Sequence, residues 1–409
     1  MVDFEKFTLT NGLQVVVHQD KTSSLVCLNI LYGVGSRNED PLKTGFAHLF
    51  EHLMFGGSKH IPSFDTPLQA VGGDNNAFTS SDITNYYTTV PANNIETAFW
   101  LESDRMLGLS FDEEVLTREK SVVIEEFKQR YLNQPYGDVW LKLSPEAYKV
   151  HPYRWPTIGK EIAHIENINM ADVKEFFSTY YAPANAILVI AGNISLQEVQ
   201  RLCVKWFESI ENRSLLKRRI PVEPEQMESR HLDIRAAVPQ NAIYKAYHMP
   251  GKRDSNYFAH DLLADMLGRG KSSILHQQGV KSAQVFSSIS AYVTGSIDPG
   301  LLIISGKLSE GMGFEQAEHI LQNAIESVSN QGSAALIKVK NMAESSLIFG
   351  EVDLLNRAMN LAIATHLGNT DLVNQEMEML KAVSQDQVLA VTADTLKPSN
   401  CTSLYYHKN

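Results

Sequence analysis

The chain has 409 residues, of which 44% are apolar and 20% charged, with a formal net charge of −11. That length exceeds one ordinary core and fits two domains of ~100–200 residues each, while the acidic balance excludes the basic stripe with which nucleic-acid binders neutralise phosphates. No apolar run approaches the ~20 residues of a membrane-crossing helix, the start MVDFEKFTLTNG lacks the basic-then-apolar pattern of an export signal, and the cysteines Cys27, Cys203 and Cys401 are scattered as in a reducing compartment. The expectation is a cytoplasmic protein with no nucleic-acid and no membrane partner.

Residues 4–18 read as a hairpin turning at Asn11-Gly12, a dipeptide suited to tight β-turns. SSLVCLNILYGVGS reads as a buried strand ending in glycines, and GFAHLFEHLMFGG (45–57) as an apolar helix. DNNAFTSSDITNYYTTVP (74–91) contains two β-prone runs, IETAFWLESDRML is helical, and 113–132 reads as a longer helix. HPYRWPTIGKEIAHI is irregular, MADVKEFFSTYY helical, NAILVIAGNI a central strand and SLQEVQRLCVKWFESI a last helix. A charged, proline-punctuated stretch at 214–230 is the expected linker between an N-terminal domain, 1–213, and a C-terminal one, 231–409.

The second half repeats the first. FAHDLLADMLG (258–268) lies over FAHLFEHLMFG (46–56), with His260 under His48, and DQVLAVTADTLKPSNCTSLYY matches ADVKEFFSTYYAPANAILVI, with Pro398 and Asn400 under Pro183 and Asn185. Leu263 and Ala264 stand where the first copy has Glu51 and His52. The second domain is therefore expected to keep the fold, with His260 as a satisfied histidine, and to hold no metal.

In a helix the spacing of His48 and His52 puts both imidazoles on one face, ~5–6 Å apart at Cβ, within reach of one metal ion. Glu51 can face the same point without ligating it, the HExxH arrangement written backwards as HxxEH. Catalytic zinc takes three protein ligands and leaves a position open. On the helix from Glu113, Val115, Glu119, Val122 and Glu126 form one stripe, read as apolar except for its two glutamates, and burying those would be costly without a cation. Glu126 is assigned as the third ligand, and Glu119 as a group orienting the site. A metal there would acidify a water whose proton Glu51 takes for attack on a peptide carbonyl.

On these residues the chain resembles the pitrilysin and mitochondrial-processing-peptidase family of inverzincin metallopeptidases. The resemblance spans essentially the full length and rests on HLFEH (48–52), REKSVVIEE (118–126), NAFTSSDITNYY (76–87) and HPYRWPTIG (151–159). It implies one Zn2+ per chain, Glu51 as the base, and an α+β fold of two similar domains. Each domain would be a mostly antiparallel sheet with helices packed on one side, the two forming a half-clamshell that pairs with another half around a closed chamber. It also implies that the strand bearing Asn76, Ala77 and Phe78 pairs with the substrate backbone by strand addition.

Members of the family draw an arginine and, seven residues on, a tyrosine from the second domain of the facing half. In HQQGVKSAQVFSSIS those positions hold Gly279 and Phe286. The reading is a zinc endopeptidase acting on peptides, unfolded segments or leader sequences, as the catalytic subunit of a heterodimer with a homologous sister subunit, or of a self-dimer. The competing reading is a non-catalytic structural or assembly subunit.

Overall fold

A computed structural model of the chain describes residues 1–213 and 219–409; the start of the expected linker, 214–218, with Lys217 and Arg218, lies outside the described residues. The first half runs β1 (Glu5–Thr8), β2 (Gln14–Gln19), β3 (Leu25–Tyr32), α1 (Phe46–Leu53), α2 (Asp65–Ala70), β4 (Asp74–Thr79), β5 (Thr84–Pro91), α3 (Ile95–Leu107), α4 (Glu113–Phe127), α5 (Val139–Ala147), α6 (Ile162–Glu166), α7 (Met170–Tyr180), β6 (Ala186–Gly192) and α8 (Leu196–Trp206). The second runs β7 (Arg230–Ala236), β8 (Ala242–Met249), α9 (Tyr257–Gly268), β9 (Phe286–Val293), β10 (Gly300–Leu308), α10 (Phe314–Ser327), α11 (Ser333–Gly350), α12 (Leu354–His366), α13 (Leu372–Ala382), α14 (Gln385–Thr395) and β11 (Cys401–Lys408). None of the described helices is long and apolar enough to cross a membrane.

The strands form two sheets with one topology. The first has the order β1-β2-β6-β3-β5-β4 and the second β7-β11-β8-β10-β9. Each has a single parallel pair, β2 with β6 and β7 with β11, and all its other pairings are antiparallel. The α+β duplication is thus realised strand for strand, with β1 as the extra strand. The Pro-Ala-Asn and Pro-Ser-Asn turns that enter β6 and β11 agree in detail: Asn185 Nδ2 donates to Tyr180 O at 2.8 Å and Asn400 Nδ2 to Thr395 O at 2.9 Å.

The compact units do not follow the chain boundary at 213–231. Unit one comprises Met1–Lys128, Trp155–Ile220 and Ile348–Gln375; unit two comprises Gln129–Arg154, Pro221–Leu347 and Glu376–Asn409. Each half has lent the other one helix, and the reason lies in the sheets. Alternate residues of a strand point to opposite faces, and these central strands are apolar on both, so helices on one side leave the other uncovered. In unit one that second face, with Val16, Cys27, Leu31 and Val189, is covered by Ala358, Leu361 and Ala362 of α12. In unit two Val139, Leu143 and Ala147 of α5 cover Ala246, Ile303 and Leu404. Alanines on α12 let its backbone approach closely. Arg357 then fastens it, Nη2 donating to Asp20 Oδ2 at 2.8 Å and Nη1 to His18 Nε2 at 2.9 Å.

Leu361 is fully buried, so Leu361→Ala should cost about 2–5 kcal/mol. By hydrogen exchange the loss should appear as faster exchange in β3 and β6 of unit one, with β8 and β10 of unit two unchanged; equal acceleration in both sheets would contradict the exchanged packing.

Candidate metal centre

Helix α1 begins without a side-chain cap of its own: Gly45, at φ 85, sits in the left-handed region. Its first N–H groups are met instead by Glu39, whose Oε2 accepts from Gly45 N at 3.0 Å and from Trp155 Nε1 at 3.1 Å, and whose Oε1 accepts from Ala47 N at 2.8 Å. A side chain at Gly45 would strike Ile158 O, its Cβ coming within 2.4 Å, and one at Gly159 would strike Thr44 O. The tail of the HPYRWPTIG segment therefore clamps the start of α1. Its other end approaches α4 as closely, since a Cβ at Gly56 would lie 2.4 Å from Val115 Cγ1. Helix α4 is capped by Asp112, which accepts from Glu114 N at 2.7 Å.

Between these two helices the predicted residues come together. His48 Nε2 lies 3.6 Å from Glu126 Oε2 and His52 Nε2 lies 3.9 Å from the same oxygen. Ligand atoms of His48, His52 and Glu126 all fall within 4.8 Å of one another, the one such group of three among the described residues. The other ring nitrogen of His52, Nδ1, faces Glu119 Oε2 at 3.5 Å, and Arg118 Nε donates to Glu119 Oε1 at 2.9 Å. Two imidazoles and a carboxylate are a donor set that catalytic zinc takes, and a carboxylate behind one imidazole is the usual way its tautomer is fixed. The residues present fit the metal.

The charges reinforce the geometry. Burial works against a charged His52, but its contact with Glu119 and the fields of Glu51, Glu119 and Glu126 outweigh it and raise its pKa. Contact with His52, and beside it Arg118, holds Glu119 below the ordinary carboxylate value despite its burial. Glu51 stands outside the ligand triad: Thr79 Oγ1 on β4 donates to its Oε2 at 2.5 Å. Burial raises its pKa, partly offset by that hydrogen bond.

One expectation needs amending, and two others gain geometry. The stripe of Val115, Glu119, Val122 and Glu126 is not the buried face of α4; that face is Leu116, Val123 and Phe127, and Val122 is 45% exposed. Both glutamates face α1; Glu126, a third exposed, keeps its charge partly in solvent, whereas the more buried Glu119 keeps it through His52 and Arg118. Of Asn76, Ala77 and Phe78, alternation puts Ala77 on the α1 side with Thr79, and Asn76 and Phe78 on the other. All three lie on the outermost strand of the sheet, β4, which pairs with β5 alone. Phe286 is 1% exposed, packed in the core of unit two against Gly279, so it cannot present a side chain to a substrate. His260, as expected, is a satisfied core histidine, with Nδ1 bonded to Asn256 O and Nε2 to Thr395 Oγ1, both at 2.8 Å.

Glu39 and Thr79 escaped the sequence reading. No periodic pattern contains Glu39, whose partners include Trp155 over a hundred residues away; Thr79 carried a faint signal, a hydroxyl at the end of a strand bordering the HxxEH helix.

The family model described as Insulinase (Peptidase family M16) matches residues 14–160, and that of the Peptidase M16 inactive domain matches 167–342. The chain belongs to peptidase family M16. It is 36% identical over 291 residues to zinc protease PqqE of Helicobacter pylori, a match covering 69% of this chain and 65% of that protein. It is 26% identical over 399 residues to the uncharacterized zinc protease YmxG of Bacillus subtilis, covering 94% and 93%. The solved structure of a protease from Helicobacter pylori superposes with a TM-score of 0.93 at 28% identity, covering 100% of both chains. The M16 membership fits the two halves: the model carrying the peptidase description falls on the copy with HxxEH, and the inactive-domain model lies mainly on the other.

Two predictions follow from the geometry. His48→Ala and Glu126→Ala should abolish stoichiometric zinc binding in a chelator-competition titration, whereas Glu119→Gln should weaken it about 10- to 100-fold; unchanged affinity in the Glu126 variant would remove it from the ligand set. Burial pushes Glu39 up to about 8 against its three N–H donors. The folded chain then holds a proton that the unfolded chain releases near ~4.3, so this group's contribution to stability is fully present below that value and is lost as pH rises towards 8. Glu39→Gln should flatten the fall of urea-unfolding free energy across this window; an unchanged slope would contradict it.

Proposed function

We propose that this chain is a zinc-dependent endopeptidase that cleaves peptides, unfolded segments or leader sequences, as the catalytic subunit of a dimer. The observation carrying this reading is the convergence of His48, His52 and Glu126 with Glu51 beside them, outside the ligand triad and held through one oxygen. Zinc bound by the three ligands supplies Lewis acidity and lowers the pKa of a water. Glu51 takes the water's proton at Oε1, which has no hydrogen-bond partner among the described residues, and returns it to the leaving amine. Glu119 holds His52 by Nδ1, keeping Nε2 turned toward Glu126. The raised pKa of Glu51, caused by its burial, suits a group that must both accept and return a proton.

Substrate is read as adding to the free edge of β4. The Ala77 N–H points away from β5, bonded only to Asn76 Oδ1 at 2.8 Å, and an incoming extended peptide can replace that amide as its partner. Asn76 and Phe78 flank it on the opposite face of the strand.

The dimer reading rests on what unit two lacks. With Gly279 and Phe286 at the family's arginine and tyrosine positions, and Phe286 buried, groups that hold the substrate carbonyl come from a homologous sister subunit, since a second copy would carry the same two residues. The same observation favours the second reading, a non-catalytic structural or assembly subunit.

Hydrolysis of a quenched peptide, with and without chelator, separates them. Glu51→Gln should keep its zinc and lose roughly 10²–10⁴-fold in turnover; near-wild-type turnover would remove Glu51 as the base. Full activity of the pure chain, shown to be free of other proteins and monomeric, would contradict the dimer, and silence with and without a homologous subunit would favour the structural role.

A further inference from the structure

The internal duplication offers a control on the site, because each residue of the first sheet has a counterpart at the same register in the second. Starting from the matched turns at Asn185 and Asn400, Ala186 pairs with Tyr32, Tyr32 with Thr84 and Thr84 with Thr79. In the second sheet the same row reads Cys401, Tyr247, Leu302 and Val293. Val293 is therefore the counterpart of Thr79, as Leu263 is of Glu51. Where the copy has lost the carboxylate it has lost the hydroxyl too, and Val293 packs against the core cluster that contains Leu263. A threonine kept for strand propensity alone has no reason to change with the residue facing it, since valine and threonine suit a strand alike.

We propose that Thr79 is the positioning residue for Glu51. The inference rests on the reading of Glu51 as the base. Thr79 Oγ1 donates to Glu51 Oε2 at 2.5 Å, which fixes the carboxylate's rotation and leaves Oε1 directed for proton transfer. A glutamate side chain has three rotatable bonds, and on a half-buried helix face nothing else among the described residues hydrogen-bonds its carboxylate. The anchor also has a particular origin. Thr79 shares its parity on β4 with Ala77, so its backbone N–H and C=O lie on the free edge while its side chain reaches α1. The strand read as receiving the substrate is thus the strand that aims the base, and seating a peptide along that edge orders both together.

The test uses the full chain as wild type, Thr79→Val and Thr79→Ser, each with zinc content and melting temperature measured. Valine keeps the shape and removes the donor; serine keeps the donor and removes the methyl. Thr79→Val should keep wild-type zinc and KM while kcat falls about ten- to hundredfold, as for a misaligned catalytic group, and Thr79→Ser should recover most of kcat. In crystals of the three proteins the Glu51 carboxylate should hold one position in wild type and Thr79→Ser, and leave it or split between positions in Thr79→Val. Wild-type kcat in the valine variant, equal losses in the two variants at equal zinc, or an unmoved Glu51 carboxylate in Thr79→Val each overturn the proposal. Absence of chelator-sensitive hydrolysis in the wild type would instead sink the peptidase reading, and the carboxylate positions would still decide the role of Thr79.

Discussion

Two imidazoles one helical turn apart make a metal site only if the helix bearing them is fixed against the helix bearing the third ligand. Everything at this centre depends on that registration of α1 with α4. Close glycine contacts hold α1 at both ends: at its start Gly45 lies against the backbone of Ile158 and Gly159, and just past its finish Gly56 lies against the Val115 side chain of α4. Glu39 supplies the hydrogen bonds that a helix beginning at a left-handed glycine lacks. The ligands can converge because the helices are held before any ion arrives, so little ordering is left for metal binding to impose.

The duplicated half shows what the same fold does without that task. Helix α9 repeats α1 in place and in its first residues, yet His260 spends both ring nitrogens on Asn256 and Thr395 and the facing positions are hydrocarbon. A polar cluster at one site and an apolar core at its counterpart follow from the same topology, so the chemistry lies in a handful of side chains grafted on it. The exchange of α5 and α12 binds each unit's stability to sequence from the other half. A metal-bearing unit cut out at residue 213 would lack the cover of its second sheet face.

Much of this was legible in the sequence. The spacing of His48 and His52, the two glutamates on α4 and the repeat of FAHxxxxxMxG needed only helical periodicity and self-comparison. The stripe that holds Glu126 is not buried as expected, because periodicity reports which residues share a stripe and not whether the stripe is buried; Val122 shows that this one borders an opening. The exchanged helices were hidden because chain order suggests domain order, and α5, carrying Pro145, does not advertise itself as a helix. Glu39, Trp155 and Thr79 were hidden because their partners are remote along the chain, and only the folded backbone brings them to α1. The free edge of β4 became visible once the strand order was known.

The central claim is that His48, His52 and Glu126 hold a zinc ion, and diffraction from zinc-equilibrated crystals on either side of the zinc absorption edge tests it most directly. The account predicts one anomalous peak per chain, bonded to an imidazole nitrogen of each histidine and to a Glu126 oxygen, with Glu51 outside bonding distance and Glu119 behind His52. No peak at that place in saturated crystals, or a peak bonded to Glu51 in place of Glu126, would contradict it.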